Sequence, residues 1–301
     1  MLTALKSIIG NFFQDEAPYA RRILHGRGRL FPGLETINLD WYAPVLLITT
    51  YEPLLEIDQL IQLLLESDVH SQIESIILQQ RGTGPVQGQL LWGNAVDEVV
   101  VQEGELRFKV KPGRRQNAGL FLDMRPVREW LQANSRDKNV LNLFAYSCSL
   151  SVAALSGGAL GVTNVDMSKP SIQWGEQNHQ LNGHDMRKVH SIPHNLFTSW
   201  GRIQQFGRYE LVIIDPPTRQ RGSFDVEKNY AAVLKKLPKL CAQGGEVIAT
   251  LNSPFREADY LIELFLQQVP GSTFIERLPV APEFADRFPE KGLKICYFKM
   301  P

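Results

Sequence analysis

The sequence predicts an α/β protein in which a seven-stranded, mostly parallel sheet with helices on both faces follows a small α/β module. Two observations carry this. From about residue 119, short apolar runs alternate with helix-like stretches to the end of the chain, the rhythm of parallel strands joined by crossover helices. The 301 residues, 44% hydrophobic and 21% charged and free of repeats or low-complexity tracts, suffice for one large or two modest cores.

Residues 1–13 place Leu2, Leu5, Ile8, Ile9 and Phe12 at helical spacing. They lack the unbroken apolar core and small-residue cleavage site of a secretory signal, so they read as a short amphipathic helix. This helix opens a basic N-terminal segment, 1–44. Arg21, Arg22, His25, Arg27 and Arg29 surround Gly26, Gly28, Pro32 and Gly33, a composition that favours irregular backbone with a basic surface. Residues 45–118 form the small module. Its expected elements are a strand at 45–50, a helix at 53–67 with Leu54, Ile57, Leu60, Ile61 and Leu64 on one face, and a strand at 73–79. Residues 99–101 and 106–110 flank Gln102-Glu103-Gly104-Glu105 and predict a hairpin, a candidate RNA-binding element.

Residues 119–301 form the main domain. Strands are expected at 139–144, 161–166, 187–191, 210–215, 245–251, 273–279 and 293–299, and helices near 149–156, 169–181, 196–206, 226–242 and 255–268. Ser168 before Pro170 and Ser253 before Pro254 read as helix caps. No helix separates the last two strands, so they should pair antiparallel at the sheet edge.

Composition excludes several function classes. The longest apolar runs, such as 43–48, fall far short of the ~20 residues that span a bilayer, so no membrane role is expected. With 32 basic and 32 acidic residues, no whole-molecule field draws the chain to nucleic acid, and an electrostatic partner must be met by a local patch. Cys148, Cys241 and Cys296 are odd in number and form no CxxC pair, which argues for reduced thiols and a cytoplasmic protein. His184, His190 and His194 match no metal-ligand spacing, and no metal is expected. A homo-oligomer stays open.

In an open α/β sheet, ligands collect at the carboxyl ends of the strands. Asp166 closes the second strand 22 positions beyond Phe144, the distance at which an acidic residue accepts hydrogen bonds from ribose hydroxyls. This is the outline of a site for an adenosyl ligand, although Asp166 alone could equally cap the next helix. No GxGxxG follows the first strand and no P-loop occurs, which disfavours dinucleotide and nucleoside triphosphate chemistry. Leu211-Val212-Ile213-Ile214 breaks into Asp215-Pro216-Pro217. The prolines end the ladder and leave Asp215 and the carbonyls after it to grip a planar group by its edge hydrogens, where the plainer reading is a strand stop.

Together these features resemble the class I S-adenosylmethionine-dependent methyltransferases, and more narrowly the bacterial large-subunit enzymes that methylate bases of 23S ribosomal RNA. The resemblance covers about residues 88–301. It rests on Leu91-Trp92-Gly93-Asn94, the hairpin, residues 119–125, 140–150 and 164–168, His194-Asn195-Leu196-Phe197, and Asp215-Pro216-Pro217-Thr218. What it implies is a Rossmann-like methyltransferase sheet, S-adenosyl-L-methionine as cofactor and ribosomal RNA as partner. Asp166, with Met167, would hold the ribose, and Phe144, Ala145, Tyr146, Ser147 and Cys148 would pass under the methionine part. Asn195, where relatives usually have Asp, would reach the adenine amino group beside Leu196. Phe121, Asp123 and Arg125 would border the cofactor, although Phe121 read alone is core and the other two a surface pair. Asp215, Pro216 and Pro217 would face the reacting base.

The chain departs from the family at two places. Tyr146-Ser147-Cys148 replaces Tyr-Thr-Gly, removing a permissive glycine from the closest approach. Leu251-Asn252-Ser253-Pro254 has no cysteine where enzymes acting on cytosine carbon 5 carry their nucleophile, which favours direct transfer to a nitrogen. Arg219 and Arg221 after the Asp-Pro-Pro element, and Arg114 and Arg115 at the hairpin exit, are the candidate contacts to RNA phosphates; Lys228, Lys235, Lys236 and Lys239 read as a solvated face. Two alternatives stay open: a non-catalytic RNA-binding or assembly protein on the same fold, and a small-molecule methyltransferase.

Overall fold

Two strands form in the stretch that the sequence reads as irregular. In the computed structural model, which describes residues 2–82, 88–220 and 224–301, β1 (Arg21–His25) pairs antiparallel with β2 (Ile37–Tyr42). The cause is non-local. Arg22 donates to both oxygens of Asp40 across the pair, at 2.7 and 2.9 Å, and its guanidinium lies 4.2 Å from the centre of the Phe284 ring. Arg21 lies over Phe12 and Arg27 over Tyr51. His25 Nδ1 lies 2.8 Å from Arg22 Nη1, so four of the five basic side chains are engaged locally rather than displayed as a cationic surface.

The chain divides into two compact units, 1–123 with 281–287, and 124–280 with 288–301. In the first, β1, β2, β3 (Val45–Thr50), β4 (Ser75–Gln80) and β5 (Gly88–Gly93) lie side by side in that order. Residues 14–44 and the small module therefore share one sheet. Only β3 and β4 pair parallel, and α2 (Ile57–Ser67) connects them. The expected N-terminal helix is α1 (Leu2–Phe12); Leu5 and Ile9 pack with Leu60 and Leu64 of α2, Trp41 and Ile48 in one core. The hairpin consists of β6 (Val99–Glu103) and β7 (Leu106–Val110), turning at Gly104 with φ +57°. Residues 281–287 return to this unit: Ala281 N–H donates to Asp123 O, and Arg287 N–H to Gly28 O at 2.7 Å.

The second unit is built on seven strands. They are β8 (Asn139–Leu143), β9 (Gly161–Val165), β10 (Val189–Ile192), β11 (Tyr209–Ile214), β14 (Cys241–Asn252), β15 (Thr273–Leu278) and β16 (Leu293–Lys299); the short pair β12 (Arg219–Gln220) and β13 (Phe224–Asp225) stands apart. The spatial order is β10-β9-β8-β11-β14-β16-β15, with the first five parallel. The last two strands pair antiparallel as expected, but β16 inserts between β14 and β15, so only β15 is at the edge.

Both faces of this sheet are covered. Leu141, Leu143, Val212 and Ile214 share a core with side chains of α7 (Val226–Leu234), α8 (Leu237–Leu240) and α9 (Ala258–Gln268). The intervening Val140, Asn142, Leu211 and Ile213 are equally buried. Their side carries α3 (Arg125–Asn134), α4 (Ser149–Ser156) and α5 (Lys169–Leu181), packed in succession. Burial on both faces explains the nearly unbroken apolar strands.

Four expectations need correction. Helix α3, opened by Pro126, is absent from the sequence reading. The helix expected at 196–206 is a 3₁₀ turn at Leu196–Thr198 followed by α6 (Trp200–Gln204). The one at 226–242 breaks between α7 and α8, where Pro238 takes a first-turn position. Ser168 caps α5 by accepting from Ser171 N–H at 3.3 Å, but α9 begins only at Ala258, and Ser253 Oγ accepts from Phe255 N–H instead.

Candidate active site

Strand order reverses between β8 and β11, so the crevice between their carboxyl ends is the switch point of the sheet. The chain leaves β8 through a strained loop: Phe144, Tyr146 and Cys148 are left-handed, with φ of 60°, 46° and 61°. Such backbone persists only where its surroundings fix it. Here Ala145 N–H donates to Val165 O at 3.0 Å, Tyr146 N–H to Asp166 Oδ2 at 3.0 Å, and Asn178 Nδ2 to Ser147 O at 2.9 Å. The second oxygen of Asp166 accepts from Ser168 N–H at 2.8 Å. Asp166 thus ties the loop after β8 to the start of α5. Burial raises its carboxyl above the ordinary range, against the pull of these two N–H groups.

Cys148 adopts the left-handed conformation that glycine would take without strain, and the space for its side chain comes from α5. A Cβ at Gly175 would overlap Cys148 Sγ. In an unconstrained helix interior, Gly→Ala stabilises by about 1 kcal/mol. Here Gly175→Ala is expected to destabilise by about 1–3 kcal/mol through overpacking, read from urea midpoints. Adding Cys148→Gly should restore most of the loss; simple additivity of the two changes would refute the pairing.

The carbonyl of Cys148 also ends a buried chain of hydrogen bonds. Ser151 OH donates to it at 3.0 Å, so the Ser151 oxygen accepts from His179 Nε2–H at 3.0 Å. His179 Nδ1 is then the acceptor for His184 Nδ1–H at 2.9 Å, and His184 Nε2 accepts from Ser156 OH at 2.9 Å. This proton assignment requires both imidazoles to be neutral. Burial, reinforced by His184, lowers the His179 pKa to about 3, and burial lowers that of His184. Both rings bind a proton less readily folded than unfolded. Their contribution is therefore intact above the ordinary value of 6.5 and is lost as pH falls from there towards 3. Urea midpoints should drop on going from pH 7 to pH 5, with the contribution of His179 approaching a limiting slope of about 1.4 kcal/mol per pH unit only below the ordinary imidazole value, and His179→Gln should flatten the profile.

A shallow open cleft adjoins the loop. Of the expected residues, Phe144, Asp166, Met167, Asn195 and Leu196 line it. Val165, His194, Phe197, Gln220 and Phe224 line it as well and were not foreseen. Phe224 packs edge-on to Phe144 at 4.9 Å and parallel to Phe197 at 6.5 Å. The aromatic spacing offers no sequence signal, since Phe224 reaches the cleft only because β13 folds back on β12. Ala145, Tyr146, Ser147 and Cys148 shape the adjoining loop and are not among the lining residues. Asn195 Oδ1 accepts from Phe197 N–H at 2.9 Å, so the oxygen expected to meet an amino group already caps a 3₁₀ turn. Arg125 opens α3 and pairs loosely with Glu129 at 4.0 Å. Phe121 and Asp123 belong to the first unit, Phe121 exposed and Asp123 in a 3₁₀ turn.

On the other side of the switch point Asp215 ends β11, Pro216 is buried and Pro217 exposed. The register Ile214↔Ala249 sets Asp215 beside Thr250, whose hydroxyl donates to Asp215 Oδ1. Thr250 is itself fixed: Tyr230 OH donates to its carbonyl at 2.8 Å. Thr218 OH donates to Asn252 O, closing the loop against β14. Two carboxylates, Asp166 after β9 and Asp215 after β11, thus stand at strand ends on either side of β8.

A family model described as S-adenosylmethionine-dependent methyltransferase matches residues 21–299. The chain belongs to this family. Among curated relatives, it is 39% identical over 160 residues to ribosomal RNA large subunit methyltransferase K/L of Shewanella frigidimarina, covering 52% of this chain and 22% of that protein. The protein of the same name from Hahella chejuensis is 30% identical over 232 residues, 72% of this chain and 32% of its own. The chain thus spans about a fifth to a third of these relatives. The crystal structure of a putative methyltransferase complexed with SAH superposes with a TM-score of 0.83 at 22% identity, over 98% of this chain and 82% of that one.

The remaining expectations concern charged side chains. Arg219 is exposed and lies 3.8 Å from Asp225, whereas Arg221 lies outside the described residues. At the hairpin, Arg114 pairs with Asp97, and Lys109 and Lys111 pair with Glu98 at 2.8 and 3.5 Å. Of the two expected hairpin contacts Arg114 therefore carries its own counter-ion, and Arg115 is exposed. Lys236 lies 5.8 Å from the centre of the Trp200 ring. Among the described residues no cluster of three or more His, Cys, Asp or Glu could hold a metal ion, and no helix is long and apolar enough to cross a membrane.

Proposed function

We propose that this protein transfers a methyl group from S-adenosylmethionine to a nitrogen of a ribosomal RNA base, in the cytoplasm. The observation that carries the reading is the pair of strand-end carboxylates, Asp166 at the cleft and Asp215 held by Thr250. To the cofactor's nucleoside half the cleft offers a half-buried carboxylate for the ribose hydroxyls and the rings of Phe144 and Phe197 for a purine. Ala145, Tyr146, Ser147 and Cys148 are assigned to its methionine half, and Phe121, Asp123 and Arg125 to its border, by the family pattern. When bound, S-adenosylmethionine supplies a methyl group on an already activated leaving group.

The work left to the chain is to orient the base and handle one proton. Asp215 and the Pro216 carbonyl accept from an amino edge, bringing the nitrogen lone pair into line, and Asp215 takes up the proton released. A cysteine route lacks its nucleophile. All three cysteines are buried. Burial pushes the Cys148 thiol far above its ordinary value, Cys241 up to about 12 and Cys296 up to about 11. Arg219 and Arg221, with Arg114 and Arg115, are assigned to RNA phosphates. The test is transfer of labelled methyl to total RNA from cells lacking the gene, followed by mapping of the modified base. Label in an N-methyl base of 23S ribosomal RNA is expected. Label in a C5-methyl base, in other RNA or only in small molecules would overturn the assignment.

A further inference from the structure

Phe255 stands in the turn between β14 and α9, five positions beyond Thr250, and is 84% exposed. One exposed apolar ring is commonplace, but the backbone beneath this one is fixed on both sides. Lys294 is fully buried and donates from Nζ to the carbonyls of Ser253 at 2.6 Å, Glu290 at 2.9 Å and Gly292 at 2.8 Å. Phe255 N–H is held by Ser253 Oγ at 3.3 Å. On the other side Arg256 donates to Glu227 Oε1 at 2.9 Å, and its guanidinium lies over the Tyr260 ring at 5.0 Å. The Thr218–Asn252 hydrogen bond joins the same turn to the Asp-Pro-Pro element.

The acceptor element brings a carboxylate, carbonyls, proline rings and the Thr218 hydroxyl, but no aromatic side chain. Phe255 is an aromatic ring presented from the neighbouring strand end, on a turn bonded to that element. Nearby, Arg219 and Lys228 are exposed cations suited to a polyanion. We propose that Phe255 stacks on a nucleobase of the RNA substrate at the acceptor edge, a role that rests on the function proposed above. Stacking is sequence-tolerant and adds grip where Asp215 adds orientation.

The test uses the full chain, labelled S-adenosylmethionine and an unmodified 23S ribosomal RNA transcript, with S-adenosylhomocysteine affinity as a control. Phe255→Ala should lower kcat/KM for the RNA about tenfold, Phe255→Leu should fail to restore it, and Phe255→Trp should retain it. Affinity for S-adenosylhomocysteine should stay within twofold throughout, because the ring lies outside the cleft. Activity of Phe255→Ala or Phe255→Leu within twofold of the parent, or of Phe255→Trp no better than Phe255→Leu, overturns the stacking role while leaving the function intact. Absence of transfer to the transcript by the unsubstituted protein overturns both.

Discussion

Replacing Asp166 with alanine is expected to weaken S-adenosylhomocysteine binding by at least about 100-fold in calorimetric titration. Two charge-assisted hydrogen bonds to the ribose are worth about 1.5–3 kcal/mol each, and every 1.4 kcal/mol is tenfold. A further loss comes from the protein itself. Without the carboxylate, Tyr146 N–H and Ser168 N–H lose their acceptor, and the strained loop between Phe144 and Cys148 loses one of its ties. Asp166→Asn keeps an oxygen for one of these donors and should fall between the parent and Asp166→Ala. Affinity of Asp166→Ala within threefold of the parent would remove Asp166 from the cofactor site.

Asp215→Ala should behave in the opposite way. Turnover on RNA is expected to fall by about 10²–10⁴, the usual contribution of a positioned proton acceptor, while S-adenosylhomocysteine affinity changes less than threefold. Thr250→Val keeps the shape of a fully buried side chain and deletes the hydroxyl that holds Asp215. It should lower kcat about tenfold, as expected for loss of a hydrogen bond to a charged group, with KM for the cofactor unchanged. A drop in cofactor affinity that matches the drop in rate would place Asp215 in the cofactor pocket instead of at the acceptor.

The central strands of the seven-stranded sheet were legible because they are covered on both faces, and that condition writes itself into consecutive apolar residues such as 211–214. The ends of those strands were legible for the same reason, which is why Asp166 and Asp215 could be singled out. What escaped depends on partners distant in sequence. Nothing around Arg22 announces a strand until Asp40 is set opposite it. Helix α3 buries Arg128 beside Val127 and Leu131, so its inner face does not read as apolar. Cys148 reads as an obstacle to the cofactor loop until Gly175 is found making room for it. The three histidines noticed in the sequence omit His179, whose partners lie on α4 and beyond the end of α5.

Residues 281–287 have a consequence for how the protein is made. They complete the first unit, where Phe284 covers the Arg22 guanidinium and Arg287 N–H reaches Gly28 O. On the ribosome, residues up to Asp123 emerge first, and this last piece follows 158 positions later. At about 5–20 residues per second that is a delay of roughly 10–30 s. The nascent N-terminal unit must wait through those 158 positions with the Arg22 side uncovered, so the order of translation and the order of folding run out of step in this chain.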